Sequence, residues 1–403
     1  MVKKAPAPRM PKVKKVKSVE ELMPMARHMV SKDPPNMYDG IEVKKGQRVL
    51  VVNDQTADQL VFQAFSTAIK ERGAHLTVID LEGFRNLKNA GELVDSTFSN
   101  AWYPAWVWEA AREADVILLC AFLKPPHTPL PRLPNKPVLD NLELTADLMI
   151  SEHQTYPVEI RDAIDAVAWE KIAGSRKIKW TDLEGTDLEL KFSEAEWKTH
   201  SERFVKRTGL PYMHGHLQLP APSVQINGVF VSSSLTFGGL IPRITLTIEK
   251  GQIVNVKGGG AFGQRLKDSF KTHAGLTSPA CPGPGINWLT TIGICTNPRV
   301  RRSPFVDELS GSARVAAWTF GHRRAGIFHS SVGEGYVSAT HKLIRHMDNY
   351  FNTLVTDKGT AIENGHMLAL DDPRVRKIAS KYGDPDKLLT EAWIPEVPGV
   401  NAP

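Results

Sequence analysis

The stretch Gly46–Asp80, GQRVLVVNDQTADQLVFQAFSTAIKERGAHLTVID, decides the fold class. Arg48–Asn53 is a short apolar, β-branched run of the kind a buried strand needs. Thr56 is placed to cap the helix that follows, whose apolar face is Leu60, Phe62, Ala64, Phe65 and Ile69. Gly73 closes that helix, and His75–Asp80 reads as a second strand. A strand, a helix and a strand in so short a span make a βαβ unit, hence a parallel sheet. No G-x-G-x-x-G follows the first strand, where the residues are Asn53, Asp54, Gln55 and Thr56, so a dinucleotide fold loses its main support.

Working outward, Val19–Lys32 has helical spacing, Trp106–Glu113 reads as a helix, and Val116–Phe122 reads as a third buried strand. Residues 19–175 are therefore expected to form a doubly wound parallel α/β domain. From Lys177 the texture changes to short strands and Gly-rich turns. A hairpin is expected over Lys177–Asp182 and Asp187–Phe192, with strands at Ser223–Ile226, Val229–Ser232, Arg243–Glu249 and Gln252–Val256. Gly258, Gly259 and Gly260 read as a tight turn. Helices are expected at Arg265–Thr272 and Pro373–Tyr382. Residues 176–370 then make a β-rich α+β domain, and 371–403 a C-terminal helix with an irregular tail.

The net charge of +6 is a property of one end. Lys3, Lys4, Arg9, Lys12, Lys14, Lys15 and Lys17 fall in residues 1–17 without an acid, leaving the remainder about neutral. Residues 1–18 read as a basic disordered tail. A nucleic-acid binder should carry a basic stripe on its folded body, and none is evident, so no nucleic-acid partner is expected. No long apolar run or signal-type segment is present, so no membrane association is expected. Three cysteines (Cys120, Cys281, Cys295) without metal spacing suit a reducing, cytoplasmic setting.

The chemistry-bearing residues are mostly histidines. The run from His341 to Asp348 contains His341, His346 and Asp348. In a helix His341 and His346 would not share a face; in a strand His346 and Asp348 would, which is what clamping one ion requires. Without a metal they read as a hydrogen-bonded pair. His214 and His216 likewise share a face if extended, as acid–base or substrate-contacting groups, or as loop packing. His273 and His329 read as packing residues. Ser232, Ser233, Ser234, Ser330 and Ser331 lack a nucleophile elbow. Trp102, Tyr103, Trp106 and Trp108 suggest interdomain packing or a wall for a planar ligand.

Several segments, in order, resemble the superfamily of aminopeptidase T metallopeptidases and dihydroxypyridine dioxygenases. They are Thr181–Leu188 (TDLEGTDL), Ile244–Ile253 (ITLTIEKGQI) with Gly258-Gly259, Ile292–Pro298 (IGICTNP, like "GIGTNP"), Gly335 with Ser338 and His341, and His346-Met347-Asp348. The likeness spans roughly residues 40–370. It implies a metal site, with two alternatives for the His-x-Asp region: His341 fits the "S..H" spacing, whereas His346 and Asp348 have the His-x-Asp form. The sequence departs from the family at two ligand positions. The acidic or imidazole ligand before "GIGTNP" falls on Thr291, and the histidine of the following "HIA.G" strand falls on Ala317.

The resemblance implies a non-haem iron(II) oxygenase acting on a small hydroxylated aromatic or heteroaromatic compound. Its metal residues would come from His341, His346 and Asp348, with His214 and His216 as proton carriers. The alternatives are a hydrolase of the aminopeptidase T kind using Zn(2+), Co(2+) or Mn(2+), and a metal-free ligand-binding scaffold. A homo-oligomer is expected from the resemblance alone.

Overall fold

A computed structural model describes residues 5–31, 41–81, 98–99, 105–120, 138–140, 145–208, 210–212, 215–236, 238–277, 281–333, 335–338, 341–343 and 345–402. The first unit contains α1 (Val19–Met29), β1 (Arg48–Asp54), α2 (Gln59–Glu71), β2 (His75–Leu81), β3 (Phe98–Ser99), α3 (Ala105–Glu113), β4 (Val116–Cys120), β5 (Val138–Asp140) and α4 (Ala146–Met149). Strands β2, β1, β4 and β5 lie side by side in that order, all parallel. Alternation along the strands explains the double winding. Val49, Val51, Val116 and Leu118 pack with α1 and α2. Their neighbours Leu50, Val52, Ile117 and Leu119 pack with Val107 and Ala111 of α3 on the other side. The expected α/β domain is thus observed.

The cap of α2 differs from expectation. Asp58, not Thr56, accepts the backbone N–H groups of Leu60 and Val61. Thr56 serves a different helix. Its hydroxyl accepts from Ser312 N and its carbonyl from Ala313 N, so it satisfies the start of α8 (Gly311–Thr319) in the second unit. The spacing to the nearest helix was a sound guide to helix position but not to cap identity.

The second unit begins with α5 (Val158–Ile172), which sequence assigned to the first. Ile160, Ile164, Val167, Ala168 and Ile172 join the core of the second unit, so the division falls before α5 rather than near residue 175. Next come β6 (Lys177–Thr181), β7 (Asp187–Lys191), α6 (Glu194–Thr208), β8 (His216–Gln218), β9 (Ile226–Leu235), β10 (Gly239–Glu249), β11 (Gln252–Gly258), α7 (Gly260–Thr272) and β12 (Leu289–Cys295). Beyond α8 lie β13 (Phe328–Val332), β14 (Gly335–Ser338), β15 (His341–Leu343), β16 (His346–Asn349), β17 (Thr353–Thr356), β18 (Gly359–Glu363), β19 (His366–Met367), α9 (Pro373–Ala379) and α10 (Pro385–Leu389).

Twelve of these strands form one antiparallel sheet, ordered β19-β18-β17-β6-β7-β9-β16-β13-β12-β8, with β10 and β11 branching from β9. The expected β6–β7 hairpin forms, and its turn is held by Asp182 Oδ1, which accepts from the N–H groups of Glu184, Gly185 and Thr186. Ser223, Val224 and Gln225 precede the sheet rather than forming a strand of their own, and the strand expected at 229–232 lies within the longer β9. Gly258 to Gly260 make the tight turn into α7, all at positive φ. A Cβ on Gly258 would meet the Arg243 carbonyl oxygen at 2.4 Å, so only glycine fits.

The expectation of a free basic tail is revised. Residues 5–17 lie along the body rather than free in solvent: Arg9 and Ile394 exchange both backbone hydrogen bonds, and Ala5 and Val16 are buried. The basic side chains point outward while small apolar ones pack, a pattern that composition alone reads as a solvated arm. The irregular C-terminal segment is anchored as well, with Trp393 and Val397 buried against Tyr350 and Phe351. Of the aromatic cluster, Trp102 and Tyr103 lie outside the described residues, and Trp106 is 53% exposed, not packed between units. Among the described residues, no helix is long and apolar enough to cross a membrane.

Candidate metal centre

Strands β12, β13 and β16 adjoin in the large sheet, and their register sorts two kinds of side chain onto two faces. Ile292, Ile294, Phe328 and Met347 point into the core, as does Leu217 from β8. On the opposite face Gly293, His329 and Asp348 form one cross-strand row, and Thr291, Ser331 and His346 form the next. The sheet therefore delivers to one buried surface residues far apart in sequence. His346 and Asp348 do share a strand face, as the extended reading of their spacing requires.

Four imidazoles gather there. The His329 ring lies 4.3 Å from that of His346, nearly perpendicular, and 5.6 Å from that of His216. His322, in the 3-10 turn Phe320–Arg323 after α8, stacks on His329 at 4.6 Å and 27°. His322, His329, His346 and Asp348 are all buried. His216 owes its place to two neighbours. The backbone before it is pinned by Asp165 of α5, which accepts from Gly215 N at 2.7 Å and from the Thr296 hydroxyl. Its ring occupies the space beside Gly293, where a Cβ would lie 1.8 Å from its Nε2.

Thr236, just past β9, links the carboxylate to the imidazoles. Its Oγ1 lies 2.6 Å from Asp348 Oδ1 and 3.1 Å from His329 Nδ1. The Thr319 hydroxyl in turn donates to the Thr236 carbonyl, tying α8 to the sheet. The polar surface continues past Asp348 to Tyr350. The phenol lies 2.9 Å from Ser234 Oγ and accepts from Arg302, whose guanidinium lies over the Trp318 ring. Burial pushes this phenol up to about 12. Nearby, Ser233 Oγ donates to Glu184 at 2.6 Å, and burial pushes the Glu184 carboxyl up to about 7.

Among the other residues singled out from sequence, His214 lies outside the described residues. His341 sits on β15, in a separate three-stranded sheet with β14 and β3, and its side chain is outside the description. Thr291 lies in the row of His346 and offers no imidazole or carboxylate. The Ala317 assignment is corrected. Ala317 is buried in helix α8, whereas the strand that follows β12 is β13, which carries His329. His329 lies opposite Asp348 and close to the other imidazoles. In the sequence His329 reads as packing because no motif surrounds it; strand pairing sets it opposite Asp348, and the turn after α8 brings His322 against it.

As the side chains stand, no three His, Cys, Asp or Glu groups among the described residues meet at metal-ligand geometry. The donor chemistry nevertheless suits a borderline divalent ion, which takes neutral imidazole with carboxylate. His329, His346 and Asp348 supply two imidazoles and one carboxylate on adjoining strands.

No protein-family model matches the sequence, and no curated protein matches it. Solved structures do match. The 2,5-dihydroxypyridine dioxygenase of Pseudomonas putida KT2440 superposes over 89% of this chain and 100% of its own, with a TM-score of 0.56 at 15% identity. AmpT from Thermus thermophilus matches over 87% of this chain and 99% of its own, with a TM-score of 0.46 at 15% identity. The mixed α/β fold is thus the one the sequence resemblance implies.

Proposed function

We propose that this chain is a metal-dependent enzyme that oxidises or opens a small hydroxylated aromatic or heteroaromatic ring, with non-haem iron(II) as its metal. The observation that carries the reading is the buried row of His329 and Asp348 beside His346, two imidazoles and a carboxylate on adjoining strands. The dihydroxypyridine dioxygenase has the same fold, and its name supplies the substrate class. His329, His346 and Asp348 would hold the ion. Iron(II) held there would supply the redox chemistry that a reaction of a hydroxylated ring with oxygen needs.

The remaining steps belong to side chains on the page. Thr236 keeps His329 and Asp348 in fixed relation through its hydroxyl. His216, whose ring borders His329 beside Gly293, would take or return a substrate proton. Tyr350, held protonated by burial and tied to Arg302 and Ser234, maintains a neutral donor next to the carboxylate. The buried setting keeps bulk water from competing for these groups.

The test is metal analysis of anaerobically purified protein, followed by oxygen uptake with hydroxylated pyridines and phenols beside a peptide panel. Iron-dependent oxygen consumption with one of the ring compounds is expected. Hydrolysis supported by zinc, cobalt or manganese without oxygen uptake would replace this reading with that of a metallohydrolase. A folded protein that takes up no metal and is silent in both panels would point to a ligand-binding scaffold.

A further inference from the structure

The loop after β12 carries Arg299, Arg301 and Arg302, and the first two are neutralised, Arg299 by Glu152 and Arg301 by Asp147. Arg302 is not. Among the described residues no carboxylate pairs with it, and its one hydrogen bond runs from Nη2 to the Tyr350 hydroxyl at 3.0 Å. Its Nε is buried without an acceptor. The side chain is nonetheless fixed. The guanidinium carbon lies 3.4 Å from the centre of the Trp318 ring and 4.9 Å from that of Trp393. Both indoles are anchored: Trp318 Nε1 donates to the Leu235 carbonyl, and the carbonyl of buried Trp393 accepts from Arg324. At 3.4 Å the guanidinium has room only to lie flat on the Trp318 ring, so its N–H groups point outward along its edge.

We propose that Arg302 anchors a carboxylate carried by the substrate's ring, which makes the substrate a hydroxylated aromatic or heteroaromatic acid. The proposal rests on the ring-oxidising reading above and specifies its substrate. Arg302 borders the imidazole cluster on two sides. A Cβ on Gly321, the neighbour of His322, would lie 3.1 Å from Arg302 Cβ and 2.9 Å from the Trp393 ring. The Tyr350 phenol that accepts from Arg302 stands two residues beyond Asp348. A half-buried guanidinium without a counter-charge has lost hydration that nothing replaces. An incoming carboxylate offsets that cost, and its two oxygens match the planar fork of N–H groups. One guanidinium also balances the single charge of one carboxylate, whereas an uncharged ring leaves it unmatched.

Isothermal titration of the full-length chain reads binding without turnover. The probes are hydroxybenzoates and hydroxypyridinecarboxylates, each beside its carboxamide, with inorganic phosphate as a separate arm. At least one ring carboxylate should bind about 10-fold more tightly than its amide, and Arg302→Gln should erase that preference. Arg302→Lys keeps the charge but not the fork, and should retain only part of it. Lys12→Gln removes an exposed charge on the N-terminal segment and should change nothing. Circular dichroism reports folding; if neither Arg302 variant folds, the carboxylate-to-amide ratio of the unaltered chain decides. No preference in the unaltered chain, or an undiminished preference in folded Arg302→Gln, would overturn the assignment. Phosphate binding that Arg302→Gln abolishes, with no ring carboxylate bound, would replace it with a phosphate subsite. A ring carboxylate bound through Arg302 but never oxidised would leave the assignment standing and remove the oxygenase reading.

Discussion

His216 occupies the space that a side chain at Gly293 would need: a Cβ there would lie 1.8 Å from His216 Nε2. Gly293 does not have a positive φ, so its glycine is required by room for the imidazole and not by backbone conformation. The two strands pair directly, Cys295 opposite His216 and Gly293 opposite Gln218, so the ring has little freedom to withdraw.

Gly293→Ala should therefore overpack the site. The expected cost is about 1–3 kcal/mol of stability, measured by urea unfolding. Catalytic rate should fall with it, because His216 would be driven off His329. A variant as stable and as active as the unaltered chain would show that His216 is free to move and does not serve the reaction.

Thr236 connects Asp348 to His329 through one hydroxyl. Thr236→Val keeps the shape but leaves a buried N–H and a buried carboxylate oxygen each short of that partner. A loss of about 1–3 kcal/mol is expected, with Thr236→Ser largely restoring it. Equilibrium denaturation of the three proteins decides the matter, and a loss in the Ser variant with none in the Val variant would mean that the methyl group rather than the hydroxyl is what counts.

The α/β unit was legible because its information is local. In β1, Val49 and Val51 serve one core and Leu50 and Val52 the other, and a helix with a regular apolar face follows at once. The site was only half legible for the opposite reason. His346 and Asp348 are two residues apart and could be read as a pair. His329 and His322 join them only through the antiparallel pairing of β13 with β16 and the docking of the turn after α8. Thr56 makes the same point: its spacing suggested a local cap, while its actual partners, Ser312 and Ala313, lie in the other unit. The α5 boundary escaped notice because a helix that packs on a sheet of later strands carries no mark of which unit it will join.

Burial holds the Glu184 carboxyl protonated up to about 7, with Asp182 adding to the effect and the Ser233 hydrogen bond opposing it. A raised pKa in the folded state means that the stability linked to this group is complete below its unfolded value near 4.5 and is lost as pH rises through about 7. The loss across that window is on the order of 3 kcal/mol. Glu184→Gln should abolish it, so the stability of the variant relative to the unaltered chain should grow between pH 5 and pH 8, on the order of 3 kcal/mol in total. Parallel pH profiles for the two proteins would refute the assignment.

Asp147 of α4 and Arg301 make an ion pair at 2.7 Å that is almost wholly buried and joins the first unit to the loop after β12. Thr145 Oγ1 and Ser303 Oγ both donate to Asp147 Oδ1, and a second Arg301 nitrogen donates to the Asp147 carbonyl, so the charges are well compensated. Removing one partner strands the other in a low-dielectric interior. Arg301→Met should cost about 3–5 kcal/mol, whereas Arg301→Met combined with Asp147→Leu should cost clearly less. Because the pair bridges the two units, the single variant should also open the interface and raise protease sensitivity in the loop carrying Arg301. Additive losses in the double variant would show that each residue is held by its own neighbours and that the bridge contributes little to holding the site under α8.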